Sequence, residues 1–361
     1  EVLAHYSVHV GSIADWSPAD RVVRSPGFPR YRADIHTALA SVSASHVTTA
    51  VNLWLESHGS LYPTVIITGT KGKSTAAHML AEILPGSRLV GNIGTPIWSV
   101  AQPEPNTPIV CEISSYQAVD MSFVADLAIL TSLSEDHVSW HGSVERYHAD
   151  KLAPVNAALA KITLPDLVDR LDSTNVSTPY RGDDRLDALP LHMASNARLA
   201  ISAAHMLKQT FPSVNVAADP EGRILRLPAL VGRLREIPCI ADPHRWFDDS
   251  LASNPSGAAA AINSFAHDDL WLILGGIDRG VSSGPLVQAA LAASGSIGVV
   301  TVPDNGEQLA DALESAGVNV LARHSAPDVA AAVRLIRGVA KGASTVLFSP
   351  AAPTPPQHGN W

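Results

Sequence analysis

The chain has 361 residues, which is too long for a single ordinary core, so two or three domains are expected. Hydrophobic residues make up 46% of the chain and charged residues 16%, a globular composition that excludes a disordered protein. The formal net charge is −9 and no block of lysine and arginine occurs, which argues against a nucleic-acid or membrane-surface partner.

Cysteine use and hydropathy favour a cytoplasmic protein. Only Cys111 and Cys239 are present, and neither belongs to a CxxC pair, which argues against a disulfide framework or a zinc ribbon and fits a reducing compartment. No run of about 18 apolar residues occurs, so no membrane-spanning helix is predicted. The chain begins with Glu1 rather than Met, and we expect that its true start lies upstream.

Apolar runs typical of strands alternate with helical patterns, which predicts α/β units with parallel sheets. Residues 1–60 contain a short strand at Arg21–Arg24, the turn Ser25-Pro26-Gly27 and a helix near Ala33–Ala40. The elements predicted next are a strand from Val65, a helix at about Ser74–Leu84, strands at Ile109–Ile113 and Asp126–Leu130, and helices near Val144–Ala160 and Ser195–Lys208.

From about Leu227 the strand and helix pattern restarts, which predicts a second, smaller Rossmann-like sheet. Its predicted strands are Cys239–Ala241, Leu270–Leu274, Ile297–Val302 and Thr345–Phe348. We therefore divide the chain into domains at residues 1–60, 61–226 and 227–361.

The stretch VIITGTKGKST, residues 65–75, runs from a buried strand through a glycine-containing loop into a helix. Free backbone N–H groups and the helix dipole make such a loop an anion site. Lys73 can reach a β- or γ-phosphate oxygen, and Ser74 can hold Mg²⁺. The full G-x-x-x-x-G-K-[ST] pattern is absent, so the alternative is an ordinary turn with solvated lysines. The predicted ATP-binding loop consists of Gly69, Thr70, Lys71, Gly72, Lys73, Ser74 and Thr75.

Two further segments carry candidate metal ligands. Glu112 ends an apolar strand in CEISSYQ, where a carboxylate suits Mg²⁺; the alternative is a strand-end glutamate that faces solvent. His137 and His141 have the i, i+4 spacing of a zinc pair, but no third ligand or glutamate base accompanies them, so zinc is disfavoured. Lys151 follows on a helix, where a lone lysine is most often solvated.

Together these segments resemble the Mur ligase superfamily, the ATP-dependent amide-forming enzymes of peptidoglycan synthesis. TGTKGKST resembles the ATP-binding loop of that family, CEISSYQ resembles its E-[LV]-S-S-[FY]-Q segment, and EDHVSWHGS resembles its E-[DH]-H-[LM]-D-x-H-G-S segment. The resemblance implies a three-domain α/β architecture. Residues 1–60 would be a truncated N-terminal Rossmann-like domain for the UDP substrate, residues 61–226 the central P-loop ATP-binding domain, and residues 227–361 the C-terminal amino-acid-binding domain.

The resemblance also implies roles for individual residues. Two Mg²⁺ ions would clamp the ATP phosphates, held by Ser74, Glu112, His137 and a carbamylated Lys151. The implied catalytic residues are Lys73, Glu112, His137 and Lys151. ATP contacts outside the loop are implied for Asn196, Arg233 and Asp249, although Met193 replaces an asparagine of the family pattern. Substrate contacts are implied for Ser25, Pro26, Gly27, Asn92, Ser114, Ser250, Ser253, Arg279 and Thr354.

Three positions bear on the incoming amino acid. Leu251 stands where many D-glutamate-adding members have lysine, and Arg279 in GGIDRG stands where those enzymes commonly have lysine. Arginine can bind a carboxylate through two parallel N–H bonds, so a dicarboxylic amino acid is expected; the alternative is a surface arginine in a turn. In SPAAPTPPQHGNW, Pro356 replaces the aspartate of the family pattern.

SPGFPRYR, DDSLAS and GGIDRG look more like the ligases that add L-glutamate to UDP-N-acetylmuramoyl-L-alanine than like those that add D-glutamate. The resemblance implies ATP-dependent ligation through an acyl phosphate by a monomeric protein, with a functional link to a glutamyl epimerase. The alternatives are a D-glutamate-adding ligase, a ligase like folylpolyglutamate synthase, and a nucleotide-binding pseudoenzyme or truncated inactive homologue. Against the pseudoenzyme stands the joint presence of Lys73, Ser74, Glu112, His137 and Lys151.

Overall fold

The structure is a computed structural model that describes residues 21–40, 47–100, 104, 106–172, 175–239 and 242–355. Within these ranges the chain forms a two-stranded parallel sheet and two six-stranded sheets, with helices packed against them. This confirms the predicted α/β class. No helix in the described ranges is both long enough and apolar enough to span a bilayer.

The first described segment forms a small parallel βαβ unit. Strands β1 (Val22–Arg24) and β2 (Val47–Thr49) pair in parallel, and helix α1 (Ala33–Ala40) lies between them in the chain. Ile35 and Leu39 are one helical turn apart and pack against β2. The strand and the helix predicted for this segment are thereby confirmed.

The central part of the chain folds into one sheet of parallel strands. Its elements in chain order are α2 (Ala50–His58), β3 (Thr64–Thr68), α3 (Lys73–Ile83), β4 (Arg88–Gly91), β5 (Ile109–Glu112), α4 (Ser115–Ala118), β6 (Leu127–Leu130), α5 (Val138–His141), α6 (Val144–Ala157), β7 (Ala160–Thr163), β8 (Val176–Ser177), α7 (Leu191–Thr210) and α8 (Pro220–Leu225). The strand order is β4-β5-β3-β6-β7-β8. Strands β3, β5 and β6 are buried along their whole length, as expected of a parallel sheet with helices on both faces.

The last part of the chain forms a second sheet. Its elements are β9 (Arg235–Ile237), β10 (Arg245–Asp248), α9 (Pro255–Ser264), β11 (Leu270–Gly276), α10 (Gly284–Ala292), β12 (Ile297–Asp304), α11 (Gly306–Ser315), β13 (Val320–Ser325), α12 (Val329–Val339) and β14 (Thr345–Phe348). The strand order is β13-β12-β11-β14-β10-β9, and only the short edge strand β9 is antiparallel to its neighbour among these described strands.

Some predicted elements differ from the structure. The strand predicted at Cys239–Ala241 is wrong at Cys239, which lies outside any strand; residues 240 and 241 lie outside the described residues. The helix predicted at residues 144–160 ends at Ala157, because Ala160 already begins β7, which the prediction omitted. Helix α7 is longer than predicted and begins directly after Pro190.

The topology brings the predicted site to one place. In parallel sheets, ligands bind at the loops that follow the carboxyl ends of the strands. In the central sheet these loops follow β3, β5 and β6, and in the second sheet they follow β10, β11 and β14. Hydrogen bonds join the two sets of loops to each other.

Candidate functional site

The loop between β3 and α3 is held in the shape that an anion site requires. Gly69 has φ 149°, and a Cβ there would lie 2.1 Å from Thr131 Oγ1, so only glycine fits. The loop is fastened to the segment after β6, because the backbone N–H of Thr70 donates to Ser132 O at 2.9 Å. Gly72 precedes α3 without a side-chain cap, which leaves N–H groups of the first helical turn facing outward. The backbone of the loop is thus fixed by contacts outside it, unlike that of an ordinary exposed turn.

Its two lysines point in different directions. Lys73 Nζ donates to Thr70 O at 3.1 Å and stays on its own loop, and burial lowers its pKa although Glu112 opposes the shift. Lys71 Nζ leaves the loop and donates to Ser253 Oγ, at 3.3 Å, in the second sheet's part of the chain. Burial lowers the pKa of Lys71 to about 8, while nearby Asp136 opposes that change. Neither lysine is simply solvated.

Glu112 is buried and has an oxygen without a protein partner. Its Oε1 accepts a hydrogen bond from Asn92 Nδ2 at 3.2 Å, while Oε2 has no hydrogen-bond partner among the described residues. The alternative of a glutamate facing solvent is therefore wrong. An unpaired buried carboxylate oxygen is costly unless a cation compensates it, so Glu112 fits a Mg²⁺ ligand.

Lys151 is also buried rather than solvated. Its Nζ donates to Gly69 O at 2.9 Å, and burial lowers its pKa well below the usual value. The neutral amine is the form that can react with CO₂, so the surroundings of Lys151 suit carbamylation. The described residues contain no cluster of three or more His, Cys, Asp or Glu side chains suited to a metal. The further oxygen ligands would have to come from Ser74 and the modified Lys151.

His137 is less well suited to a metal as it stands. Its Nδ1 lies 2.8 Å from Tyr116 Oη and 3.3 Å from Arg279 Nη1. Because a guanidinium only donates, Nδ1 accepts and the ring proton of the neutral imidazole sits on Nε2, 3.8 Å from Asp136 Oδ2. Metal binding by His137 therefore requires that Arg279 leave Nδ1. Burial lowers the pKa of His137 to about 4.

His141 is engaged elsewhere and does not pair with His137 as a zinc ligand. This fully buried ring contacts Asp150 Oδ2 through Nδ1 at 2.7 Å and Ser115 Oγ through Nε2 at 3.0 Å. Asp150 also accepts from Tyr31 Oη at 2.7 Å. This network ties the first βαβ unit to α6, which carries Lys151, and to α4 after Glu112. The sequence analysis did not predict this network, because the spacing of these residues along the chain gives no sign that they meet.

Among the described residues, three side-chain hydrogen bonds join the central sheet's loops to those of the second sheet. Besides the Lys71–Ser253 hydrogen bond, Asn254 Nδ2 donates to Asp136 Oδ2 at 3.0 Å and Arg279 contacts His137. Arg279 is thus not a free surface arginine. Asp136 and Asn254 were not among the predicted site residues; Asp136 adjoins His137 inside the EDH motif, which was the available signal.

Two cavities lie beside these contacts. The larger one is lined by several predicted ATP-binding residues, namely Lys71, Gly72, Thr75, Asn196, Arg233 and Asp249. Burial raises the pKa of Asp249 to about 6, although Ser349 and Arg233 oppose the shift. The smaller cavity is lined by Ser253, Asn254, Arg279, Asn305 and Pro353. The nucleotide residues and the amino-acid residues predicted from the sequence thus lie in neighbouring cavities.

The remaining predicted residues lie around this centre. Ser114 caps α4 by accepting from Gln117 N, and Asn92 lies beside Glu112. Arg24 donates to the carbonyls of Ser25 and Pro26, which fixes the Ser25-Pro26-Gly27 turn. The remaining positions lie at the ends of the second sheet: Ser250 follows β10, and Thr354 follows cavity-lining Pro353. Pro356 lies outside the described residues.

Comparison with known proteins gives matches along most of the chain. Residues 67–159 match the Mur ligase middle domain, and residues 232–352 match the Mur ligase glutamate ligase domain. The UDP-N-acetylmuramoyl-L-alanine--L-glutamate ligase of Salinispora tropica is 32% identical over 95% of this chain and 81% of that protein. The ligase of the same name from Xanthomonas oryzae is 31% identical over 98% of this chain and 82% of that protein.

A solved structure shares the fold at low identity. The MurF ligase of Thermotoga maritima, in complex with ADP, has a TM-score of 0.60 and 15% identity, with 88% of each chain covered.

Proposed function

Because this chain belongs to the Mur ligase family, we propose that it is an ATP-dependent ligase that joins L-glutamate to UDP-N-acetylmuramoyl-L-alanine through an amide bond. The name that the similar proteins from Salinispora tropica and Xanthomonas oryzae share supports both the acceptor and the L-isomer. Their coverage of the chain is nearly complete, and both domain matches fall on parts that carry the candidate site.

One observation carries the proposal. The phosphate loop of the central sheet and the candidate amino-acid residues of the second sheet face the same cleft, where Lys71 contacts Ser253 and Arg279 contacts His137. A ligase has to hold ATP, the acceptor carboxylate and the incoming amine within reach of one another. A protein that only bound a nucleotide would not need carboxylate-binding side chains on the opposite wall.

We infer the reaction that the family resemblance implies. The carboxylate of UDP-N-acetylmuramoyl-L-alanine attacks the γ-phosphorus of ATP, which gives an acyl phosphate and ADP. The amine of glutamate then attacks the acyl carbon, phosphate leaves, the amine loses a proton, and an amide remains. The residues of the cleft mainly hold and orient the reactants, and orientation alone can be worth roughly 7–11 kcal/mol. Lys73 lies where it can neutralise charge on the transferred phosphoryl group.

A bound Mg²⁺ would supply charge neutralisation at the phosphates. We assign it to Glu112, Ser74 and a carbamylated Lys151, on the grounds of the orphaned Glu112 oxygen and the buried Lys151 amine. We further propose that residues 1–60 contact the UDP moiety, that residues 61–226 bind ATP and that residues 227–361 bind the amino acid.

The test is phosphate release from ATP and Mg²⁺ with UDP-N-acetylmuramoyl-L-alanine and either L- or D-glutamate, with the product identified by mass spectrometry. We expect amide product with L-glutamate and much less with D-glutamate. Faster turnover with D-glutamate would reverse the assignment of the isomer. A folded protein that binds ATP and gives no product with either isomer would refute the ligase assignment.

Replacing Lys73 tests the phosphate site. Lys73→Ala should lower kcat by at least about 100-fold, because a charge-assisted contact to the transferred phosphoryl group is lost. The measurement is the phosphate-release rate at saturating substrates. Lys208→Ala, on the exposed side of α7, is the matched control and should behave as wild type. An active Lys73→Ala protein would mean that the phosphate site lies elsewhere.

A further inference from the structure

Lys71 belongs to the phosphate loop by sequence, but its side chain points to the amino-acid side of the cleft. Its Nζ donates to Ser253 Oγ at 3.3 Å, and its Cε lies 3.6 Å from the position that a Cβ on Gly257 would occupy. Lys73, two residues later, instead donates to Thr70 O of its own loop. The two lysines therefore serve different walls of the cleft.

The ammonium group of Lys71 has N–H donors that are not used by the described residues. An ammonium group has three N–H donors, and the only hydrogen bond that Lys71 Nζ makes to described residues is the one to Ser253. The carboxylate of Asp136 lies 4.0 Å from Nζ, beyond hydrogen-bond length, and it already accepts from Asn254. An anion in the cleft can therefore take the remaining donors of Lys71.

The hydrogen-bond partner of Lys71 indicates where that anion lies. Ser253 lines the smaller cavity together with Arg279, whereas Lys71 itself lines the larger nucleotide cavity. Lys71 thus stands on the boundary between the two cavities, and its ammonium lies 3.3 Å from the hydroxyl of a residue that lines the smaller one. Arg279 supplies a second cation to that cavity.

Two cations beside one small cavity match a ligand with two carboxylates. We propose that Lys71 binds one carboxylate of the incoming dicarboxylic amino acid while Arg279 binds the other, so that a residue of the phosphate loop helps to select the amino acid. This inference rests on the proposed ligase function. It assigns to Lys71 a contact with the amino acid rather than with the phosphates of ATP.

The inference is tested by steady-state kinetics with Lys71→Met, which keeps an unbranched side chain as far as Cε and removes the ammonium group. We expect the KM for L-glutamate to rise about 10- to 100-fold, the loss of one charge-assisted contact, while the KM values for ATP and UDP-N-acetylmuramoyl-L-alanine stay within about twofold of wild type. Lys71→Arg should recover most of the glutamate affinity. Lys208→Met is the matched surface control.

The opposite pattern would overturn the inference. If Lys71→Met raises the KM for ATP, or lowers kcat, with an unchanged KM for glutamate, Lys71 is a phosphate ligand. ADP binding and thermal melting show whether the variant is folded. Should Lys71→Met fail to fold, Lys71→Gln takes its place, with the same expectation and the same contradicting result.

The outcomes for the two assignments are distinct. A wild-type protein that forms product, with a glutamate KM that the Lys71 variants leave unchanged, overturns this inference alone. A folded wild-type protein that binds ATP and forms no product with either isomer of glutamate overturns the proposed function, and the inference with it.

Discussion

At the scale of single residues, burial sets the chemistry of the cleft more than sequence proximity does. Lys71, Lys73 and Lys151 are all lysines, yet one crosses to the second sheet, one stays on its loop and one is buried against Gly69 O. In each case burial lowers the pKa, most strongly for Lys151. A motif names these residues, but their surroundings set the contacts that each ammonium makes and lower the pKa of each by burial.

The effect of burial on the pKa of a single residue can be tested at Asp249. Burial raises its pKa in the folded protein to about 6, above the usual value of 3.8. Between about pH 4 and pH 6 the unfolded chain loses this proton first, so the carboxyl stabilises the fold at low pH and that contribution is lost as the pH rises. At pH 7 the charged carboxylate costs the fold on the order of 3 kcal/mol.

Asp249→Asn should remove this pH dependence. The measurement is the free energy of unfolding by urea at pH 4, 5, 6 and 7, and the quantity of interest is the difference between variant and wild type. We expect that difference to move in favour of the variant as the pH rises. Exposed Asp169→Asn is the control. A difference that is constant from pH 4 to pH 7 would contradict the raised pKa.

At the scale of elements, close backbone packing positions the loop that carries Arg279. Strand β11 ends at Gly275 and Gly276, with φ 141° and 144°. A Cβ on Gly276 would lie 2.4 Å from Pro353 O in the segment after β14. The two loops that flank the smaller cavity therefore depend on the absence of a side chain at this point.

Gly276→Ala should push these loops apart, with a loss of about 1–3 kcal/mol in the free energy of unfolding and a weaker affinity for glutamate. Gly338→Ala is the matched control, because that glycine lies in α12 with nothing within 4 Å of a Cβ. The control should gain up to about 1 kcal/mol from helix propensity. Urea denaturation of both variants measures the contrast, and equal effects at the two sites would contradict it.

Several of the elements that the sequence did not predict are short strands. β4 and β7 have four residues each, and β8 has two, too few to display a period. β13 carries arginine and histidine because it lies at the edge of its sheet and is only partly buried. These strands exist because neighbouring strands and helices cover them, and a local pattern does not contain that information.

At the scale of the whole molecule, the cleft exists because two separate sheets meet. Asn254 is central to that contact: its Oδ1 caps α9 by accepting from Gly257 N, and its Nδ2 donates to Asp136 across the cleft. One side chain therefore serves both the start of a helix and the joining of the two sheets.

Asn254→Asp separates these two roles. Aspartate caps a helix as well as asparagine does, but here it would face the carboxylate of Asp136, and such a juxtaposition costs several kcal/mol. We expect the two sheets to separate in solution, with a larger radius of gyration by X-ray scattering and a higher KM for glutamate. Exposed Asn215→Asp adds the same charge away from the cleft and should change neither quantity. An unchanged radius of gyration and KM would show that this contact does not hold the sheets together.

The sequence by itself determined the family and the α/β class, because the loop at residues 69–75 and the segments around Glu112 and His137 are local patterns that resemble the family's motifs. Local order along the chain also placed the strand–loop–helix unit correctly.

Only the tertiary structure decided which groups meet. The direction of Lys71, the Asp136–Asn254 contact, the His141 network and the position of Arg279 against His137 depend on residues far apart in the chain. Hydrogen bonds and desolvation act over a few ångströms of space, whatever the separation along the chain, so these features became visible only when the two sheets were placed against each other.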